Sequence, residues 1–235
     1  MSRDYGLLGL IVLAFALWYF AFQTDVWNFW VRLSLAAALL ATLALIVTPD
    51  RWKLFRARPR DLAIGVASAI LLYAIFWLGK QLAPMILPFA ADQISSVYAK
   101  REQLDLIYIG LLLFFLVGPS EEIFWRGFVQ HRLSQKGRPL PRPLPDAERS
   151  RGIACYAPTK GAGGGLGLGE RSAWLVTTAI YAFVHIWTLN LILITAAAVV
   201  GLGWGWLYQR ERSLIAVMLS HALWDVLIFI LFPLI

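Results

Sequence analysis

Long apolar runs alternate with short polar connections along the chain. The runs cover residues 5–22, 27–48, 62–79, 104–131, 173–189, 191–208 and 214–235. Each run approaches the ~20 residues that an α-helix needs to cross the hydrocarbon core of a bilayer. The pattern therefore predicts an all-α fold, a polytopic transmembrane bundle of about seven membrane-spanning helices.

Two connections and one proline modify this picture. Residues 80–103 are expected to form an interfacial segment, and the Pro/Gly-rich residues 137–172 are expected to form a flexible cytoplasmic loop. Pro119 lies inside the fourth run, where it should kink the helix or begin a new one near its first turn. The first run has no small-residue cleavage site after a short apolar core, so we interpret it as a retained helix.

Composition agrees with a membrane protein. The 235 residues are 60% hydrophobic and 15% charged, and the mean hydropathy is +0.67. Soluble domains carry about 25% charged residues. Several tryptophans fall at the ends of predicted spans, as in an interfacial aromatic belt. They are Trp27, Trp30, Trp52 and Trp174.

The positive charges are unevenly distributed between the two sets of loops. Of the 21 Lys and Arg residues, three lie in 80–103 and two, Arg32 and Arg126, lie within spans, whereas the other 16 lie in the connections on the N-terminal side. This asymmetry predicts a cytoplasmic N-terminus and a C-terminus on the opposite side. It accounts for the pI of about 9.8 without a nucleic-acid partner. Arg32 is near a span end and is expected to extend its guanidinium toward the interface.

Cys155 is the only cysteine, so the chain has neither an intramolecular disulfide nor a thiolate metal cluster. It lies in the polar Pro/Gly-rich connection, away from any histidine. We therefore do not interpret it as a nucleophile.

Six further charged or imidazole side chains lie inside the predicted spans and away from their ends, where each charge costs at least a few kcal/mol. They are Glu121, Glu122 and Arg126 in the fourth run, His185 in the fifth, and His221 and Asp225 in the last. Local interactions could explain each one. Arg126 could pair with Glu122 four residues earlier, and His221 with Asp225 in the same way. His185 could be a hydrogen-bonded packing residue.

Their depth in the bilayer favours a shared site. At about 1.5 Å per residue from the cytoplasmic end, His185 lies ~20 Å deep, His221 ~10 Å deep, and Glu121 and Glu122 ~15–20 Å deep. Because exposure to lipid would be costly, these side chains should converge on a polar cavity, which we expect to open to the cytoplasmic side.

Three chemistries suit such a cluster. A carboxylate beside an imidazole can hold a water and accept its proton, while an imidazolium or amide stabilises the oxyanion of an attacked peptide carbonyl. The same residues could ligate a divalent metal with one position left open for water. Glutamate and histidine could also relay protons in a transporter.

The motifs resemble those of the CPBP family of intramembrane proteases, which includes type II CAAX prenyl endopeptidases and bacteriocin-processing or immunity proteins. Residues 121–126 fit the family's Glu-Glu-x-x-x-Arg motif. Residues 181–185 are similar to its Phe-x-x-x-His motif with Tyr181 in place of Phe, and 221–225 to its His-x-x-x-Asn motif with Asp225 in place of Asn.

The resemblance implies a catalytic core at 104–235, preceded at 1–103 by N-terminal transmembrane helices and the interfacial segment. It implies that Glu121 activates water with help from His185, while Glu122 and Arg126 hold Glu121 in position. His221 and Asp225 would occupy the oxyanion-stabilising place, although an ionised Asp225 cannot itself donate a hydrogen bond.

The family has been described both as glutamate proteases and as metalloproteases. The glutamate mechanism, which needs no cofactor, is favoured because the chain has no cysteine ligand and no His-Glu-x-x-His helix. If the protein is a metalloenzyme, the resemblance implies a divalent metal such as zinc. Its ligands would be Glu122, His185, His221 and Asp225.

The sequence therefore predicts an intramembrane endopeptidase that hydrolyses a peptide bond near the terminus of a membrane-anchored protein or peptide. Its partners would be that substrate and the lipid bilayer, and its expected location is a bacterial inner membrane. A lipopeptide, a bacteriocin leader or a C-terminal sorting tail is favoured over a prenylated substrate. The alternatives are a non-catalytic immunity or binding protein on the same scaffold and a proton-coupled transporter.

Overall fold

The structure, a computed structural model, describes residues 2–48, 51–135 and 168–234, and these form helices and connections without a β-strand. The helices are α1 (Ser2–Gln23), α2 (Phe29–Val47), α3 (Pro59–Ile86), α4 (Ala90–Tyr98), α5 (Leu106–Ser134), α6 (Glu170–Phe183), α7 (Leu191–Glu211) and α8 (Leu214–Leu231). Short 3₁₀ turns occupy Arg51–Phe55, Ala99–Gln103 and Val184–Thr188. The predicted all-α class is confirmed.

Six of these helices, α1, α2, α3, α5, α7 and α8, are long and apolar enough to cross a membrane. Large apolar side chains such as Leu62, Ile70 and Trp77 are exposed along α3, as expected for a surface that faces lipid. The chain is therefore an integral membrane protein.

α6 accounts for the difference from the seven predicted spans. It has only 14 residues, fewer than the predicted run 173–189, because its last part becomes the 3₁₀ turn. Just before α6, the amide of Leu168 donates to the carbonyl of Leu133 at the end of α5. Just after it, the carbonyl of Trp187 accepts from the side chain of Gln23 at the end of α1. α6 and its 3₁₀ turn thus connect the two ends of the bundle.

The predicted interfacial segment 80–103 divides into three parts. Its first residues extend α3, which runs to Ile86 with Pro84 in its last turn. Then come α4 and a 3₁₀ turn. The side-chain amide of Asn190 donates to the carbonyl of Gln93 (2.8 Å) and to Oγ of Ser96 (3.1 Å), so α4 is attached to the start of α7.

α5 continues through Pro119 instead of ending there. Its backbone widens into π-helical turns at Leu113–Val117 and Ile123–Gln130, with an α-helical stretch, Gly118–Glu122, between them. A wider turn accommodates a residue that has no N–H to donate, and such turns are frequent at functional sites. The paired glutamates lie at the end of this central stretch.

Arg32 extends its guanidinium to the α1–α2 turn at the end of its span, but it is buried there by the protein and does not reach solvent. Its Nε donates to the carbonyl of Ala21 (3.1 Å), and its Nη1 donates to those of Val26 (3.0 Å) and Trp27 (2.7 Å). The carbonyl of Ala21 lies in the last turn of α1 and the other two follow that helix, so none of them has a partner within it. Arg32 therefore closes the α1–α2 turn.

The predicted flexible loop at 137–172 lies largely outside the described residues, as does Cys155. Its last three residues belong to α6, which begins at Glu170.

Candidate active site

A close contact between α5 and α8 brings the first and third motifs together. A Cβ placed on Gly118 would lie 3.2 Å from both Cα and N of Ala222, so a side chain here would push the two backbones apart by a few tenths of an ångström. Glu122 lies one helical turn after Gly118, and His221 is adjacent to Ala222. Their side chains consequently meet between the helices.

Glu122 is completely buried and binds an arginine and a histidine through one oxygen. Nη1 of Arg126 donates to its Oε1 over 2.9 Å, and Nδ1 of His221 donates to the same atom over 2.7 Å. Arg126 is 1% exposed, and its guanidinium lies 4.9 Å from the ring centroid of Tyr181 and 5.6 Å from that of Trp204. The predicted pairing of Arg126 with Glu122 is present, and it includes a histidine from another helix.

Glu121 is hydrogen-bonded to a residue that the sequence-based site set omitted. The hydroxyl of Tyr181 donates to Oε2 of Glu121 over 2.9 Å. Both side chains are buried. The signal was the departure from the Phe-x-x-x-His pattern, because a tyrosine hydroxyl in a buried position requires a partner. The first and second motifs are thus joined by this bond.

His185 contacts Tyr181 and a tryptophan of α1. Its Nδ1 lies 2.8 Å from the carbonyl of Tyr181, so this nitrogen carries a proton, and Nε2 accepts from Nε1 of Trp18 over 3.4 Å. In the described part of the chain it makes no direct hydrogen bond to Glu121. Tyr181 lies between them. No motif or polar pattern in the first span pointed to Trp18.

His221 and Asp225 face each other along α8, but their contact is the weaker of the two that His221 makes with a carboxylate. Nε2 of His221 is 3.5 Å from Oδ2 of Asp225, beyond the usual range of a hydrogen bond. The ring also stacks on Trp204, with centroids 3.8 Å apart. A pairing of His221 with Asp225 alone therefore does not account for His221, whose closer carboxylate partner is Glu122.

The motif residues border an internal cavity of about 550 Å³. Most of its wall is apolar. Its polar lining at the centre of the bundle consists of Glu121, Tyr181, His185, His221 and Asp225. Glu122 and Arg126 lie behind this wall. The side chain of Glu121 thus faces the cavity, and that of Glu122 is enclosed with Arg126 and His221.

The predicted opening toward the basic loops was wrong. Four residues of the lining are exposed, and all four belong to the part of the bundle near α4, at the opposite end. They are Ile75, Gly79, Ser96 and Thr195. On the basic side of the glutamates, the bundle is filled by large side chains that are at most 1% exposed, among them Phe124, Trp125 and Phe128. Aromatic packing therefore closes the side where the opening was expected.

The four residues named as ligands in case the protein is a metalloenzyme do not form a metal site. They are Glu122, His185, His221 and Asp225. Among the described residues, no three His, Cys, Asp or Glu side chains are arranged to hold a metal ion. Glu122 is occupied by Arg126 and His221, and both ring nitrogens of His185 have protein partners. The arrangement suits a carboxylate that acts on water directly, and we derive no step through a metal.

The glycine contact yields a prediction about the assembly of the site. Gly118→Ala should lower the free energy of unfolding by about 1–3 kcal/mol, because the new methyl group forces α5 and α8 apart. The contact between Glu122 and His221 should also weaken, since it depends on that approach. The measurement is thermal unfolding in detergent.

Gly110→Ala on the same helix is the matched control. Its Cβ would lie 3.6 Å from Cγ1 of Ile230, an ordinary contact, and alanine stabilises a helix interior by about 0.5–1 kcal/mol relative to glycine. If both variants were equally stable, the α5–α8 contact would not control the geometry of the site.

A family model matches much of the chain. The sequence model of the family described as Rce1-like, type II CAAX prenyl endopeptidase, matches residues 103–227. This range includes more than half of the chain and all three motifs. No curated protein and no solved structure matches.

Proposed function

The chain belongs to the Rce1-like family of type II CAAX prenyl endopeptidases, and on that premise we propose that it hydrolyses a peptide bond of a membrane-associated substrate with a water activated by Glu121. The observation that carries this proposal is that the two adjacent glutamates have different surroundings. Glu121 lines the cavity, whereas Glu122 is completely buried and ion-paired.

Glu121 has a free oxygen for the water. Its Oε2 accepts from Tyr181, and Oε1 has no hydrogen-bond partner among the described residues. In the proposed step, Oε1 accepts a proton from the water while the water oxygen bonds to the peptide carbonyl carbon. The protonated Glu121 then gives this proton to the amide nitrogen as the C–N bond breaks, which releases an amine and a carboxylic acid and restores the Glu121 carboxylate; the new acid then ionises by giving its proton to the amine or to solvent.

We assign His221 the stabilisation of the oxyanion. His221 lines the cavity, its Nδ1 is held by Glu122, and its Nε2 lies 3.5 Å from Oδ2 of Asp225. When both ring nitrogens carry protons, Nε2–H is free to donate to an oxyanion. Asp225 orients the ring through its charge and does not itself donate, which accommodates the departure from the family's His-x-x-x-Asn pattern.

Glu122 and Arg126 act as positioning residues. Their ion pair lies behind Glu121 on the same helix, and the Arg126 guanidinium lies against the ring of Tyr181. Arg126 therefore supports the tyrosine whose hydroxyl holds Glu121. His185 supports the same tyrosine through its carbonyl, and it also borders the cavity. Held rigidly, such a carboxylate needs little reorganisation at the moment of reaction.

The test is direct. The purified protein, reconstituted in liposomes, is mixed with peptides tethered to the membrane by an apolar anchor, and the products are identified by mass spectrometry. A pair of new termini from a single internal peptide bond is expected. Stable co-purification of an uncut partner would favour an immunity or binding protein instead. Substrate flux across sealed vesicles without cleavage would favour a transporter.

The tyrosine gives a graded prediction. Tyr181→Phe should lower kcat about tenfold, or ~1.4 kcal/mol, at the low end of the range for a hydrogen bond to a charged group, with KM nearly unchanged. The reason is that Glu121 loses its only described hydrogen-bond donor while the ring remains in place. The measurement is steady-state cleavage of a tethered peptide.

Tyr73→Phe is the control, because it removes a hydroxyl that donates to the carbonyl of Phe232 (3.2 Å), outside the cavity lining. It should leave kcat unchanged. Equal kcat values for wild type and Tyr181→Phe would mean that the hydroxyl does not orient the base.

A further inference from the structure

The cavity opening and the basic loops lie at opposite ends of the bundle. The basic end carries the turn after α2, the connection from α5 to α6, and the short turn between α7 and α8. Contacts join these parts: Arg132 donates to the carbonyl of Val47 (2.7 Å), and Arg58 donates to that of Glu211 (2.7 Å). The opposite end carries the α1–α2 turn, α4 and the start of α7.

The charge difference between these ends is large. Residues 49–60, 132–171 and 210–212 contain most of the 21 Lys and Arg residues of the chain. The end with α4 has only Lys80, Lys100 and Arg101 in its segment 80–103. Cytoplasmic loops carry the excess of Lys and Arg in membrane proteins, while Asp and Glu contribute little to orientation. The end with α4 therefore faces away from the cytoplasm.

The cavity reaches that same end. Its exposed lining residues come from three helices there: Ile75 and Gly79 on α3, Ser96 on α4, and Thr195 on α7. Lower in the bundle α3 and α7 converge, since a Cβ on Gly203 would lie 3.1 Å from a methyl group of Leu72. Above this contact the two helices border the cavity, and α4 lies beside its mouth.

We propose that the cavity receives its peptide from the extracytoplasmic half of the membrane. The substrate class is then an apolar segment of an exported or membrane-inserted polypeptide, reached after translocation, and not a cytoplasmic chain end. The assignment of a peptide as the occupant rests on the proposed proteolytic function. The side from which the cavity is reached rests only on the charge distribution and on the position of the mouth.

The accessibility of introduced thiols tests from which side of the membrane the cavity is reached. The background is Cys155→Ala, which removes the only cysteine. Ser96→Cys then places one thiol at the mouth, and Leu168→Cys places one at the basic end, where Leu168 is 41% exposed. Neither substitution changes the charge of the chain. Sealed right-side-out vesicles from expressing cells are treated with a membrane-impermeant maleimide before or after lysis.

Ser96→Cys should be labelled to the same extent before and after lysis, whereas Leu168→Cys should lose its label unless the vesicles are lysed. The reverse pattern, or a Ser96→Cys thiol that reacts in neither state, would overturn the inference. Labelling does not require catalysis. If the labelling is as expected but a tethered peptide added outside the vesicles remains uncut, the accessibility inference stands and the proteolytic function fails.

Discussion

Glu121→Gln abolishes detectable peptide hydrolysis while the protein stays folded. Loss of a positioned general base lowers the rate by about 10²–10⁴-fold. Glutamine keeps the shape of the side chain and can still accept a hydrogen bond from Tyr181, but it cannot take a proton from water. The measurement is cleavage of a membrane-tethered peptide by the reconstituted variant, over a time course long enough to follow a thousandfold loss.

The matched control is Glu102→Gln. It makes the same chemical change at an exposed carboxylate of the 3₁₀ turn after α4, outside the cavity lining. It should cleave at the wild-type rate. Both variants should also unfold near the wild-type temperature. A Glu121→Gln protein that cleaves as fast as Glu102→Gln would remove Glu121 from the chemistry.

Arg126→Met is expected to destabilise the fold strongly. Removing one partner of a buried ion pair leaves an uncompensated charge, at a cost of about 3–5 kcal/mol. Glu122 is 0% exposed, so bulk solvent does not reach it to replace the lost guanidinium. His221 remains on the same oxygen and limits the loss, because its ring still donates over 2.7 Å. Unfolding in detergent measures the effect.

Arg210→Met on α7 is the control, since its side chain is 64% exposed and its nearest acid is a surface contact of 3.5 Å. It should change the free energy of unfolding by less than ~1 kcal/mol. The double variant Glu122→Gln/Arg126→Met should recover part of the stability that Arg126→Met loses, because it removes both charges. If Arg126→Met and Arg210→Met were equally stable, the ion pair would contribute nothing to the fold.

The spacing of residues in the sequence predicted those contacts of the site that lie on a single helix. Glu122 and Arg126 are four residues apart, as are His221 and Asp225, and this spacing places each pair on one helical face. Hydropathy predicted most of the membrane-spanning helices, because the length of an apolar run reflects the thickness of the membrane. α6 was the weak case, since its apolar run continues into a 3₁₀ turn.

For contacts between helices, the sequence predicted only that the ionisable side chains converge on one cavity, and not which side chains meet. The bond from His221 to Glu122 depends on the approach of α5 to α8 at Gly118, and the bond from Tyr181 to Glu121 depends on the packing of α6. Trp18 reaches His185 from the first helix, far from every motif. Such contacts follow from tertiary packing, which the spacing of one helix does not encode.

The end of the bundle at which the cavity opens was predicted wrongly for a related reason. Counting residues from the basic end placed the polar groups in one layer, but it did not reveal which half of the bundle was filled. Phe124, Trp125 and Phe128 pack one half closed. In sequence they form part of an ordinary apolar run. Only the packed bundle shows that they point inward together.

The central claim is that a water activated by Glu121 attacks the peptide carbonyl directly. A single-turnover reaction in water enriched in oxygen-18, analysed by mass spectrometry, tests it. The claim predicts one oxygen-18 in the new carboxylate of the product after the first turnover, and none in the protein. A first-turnover product without the label, or label transferred to the side chain of Glu121, would mean that the glutamate attacks covalently and would contradict the account.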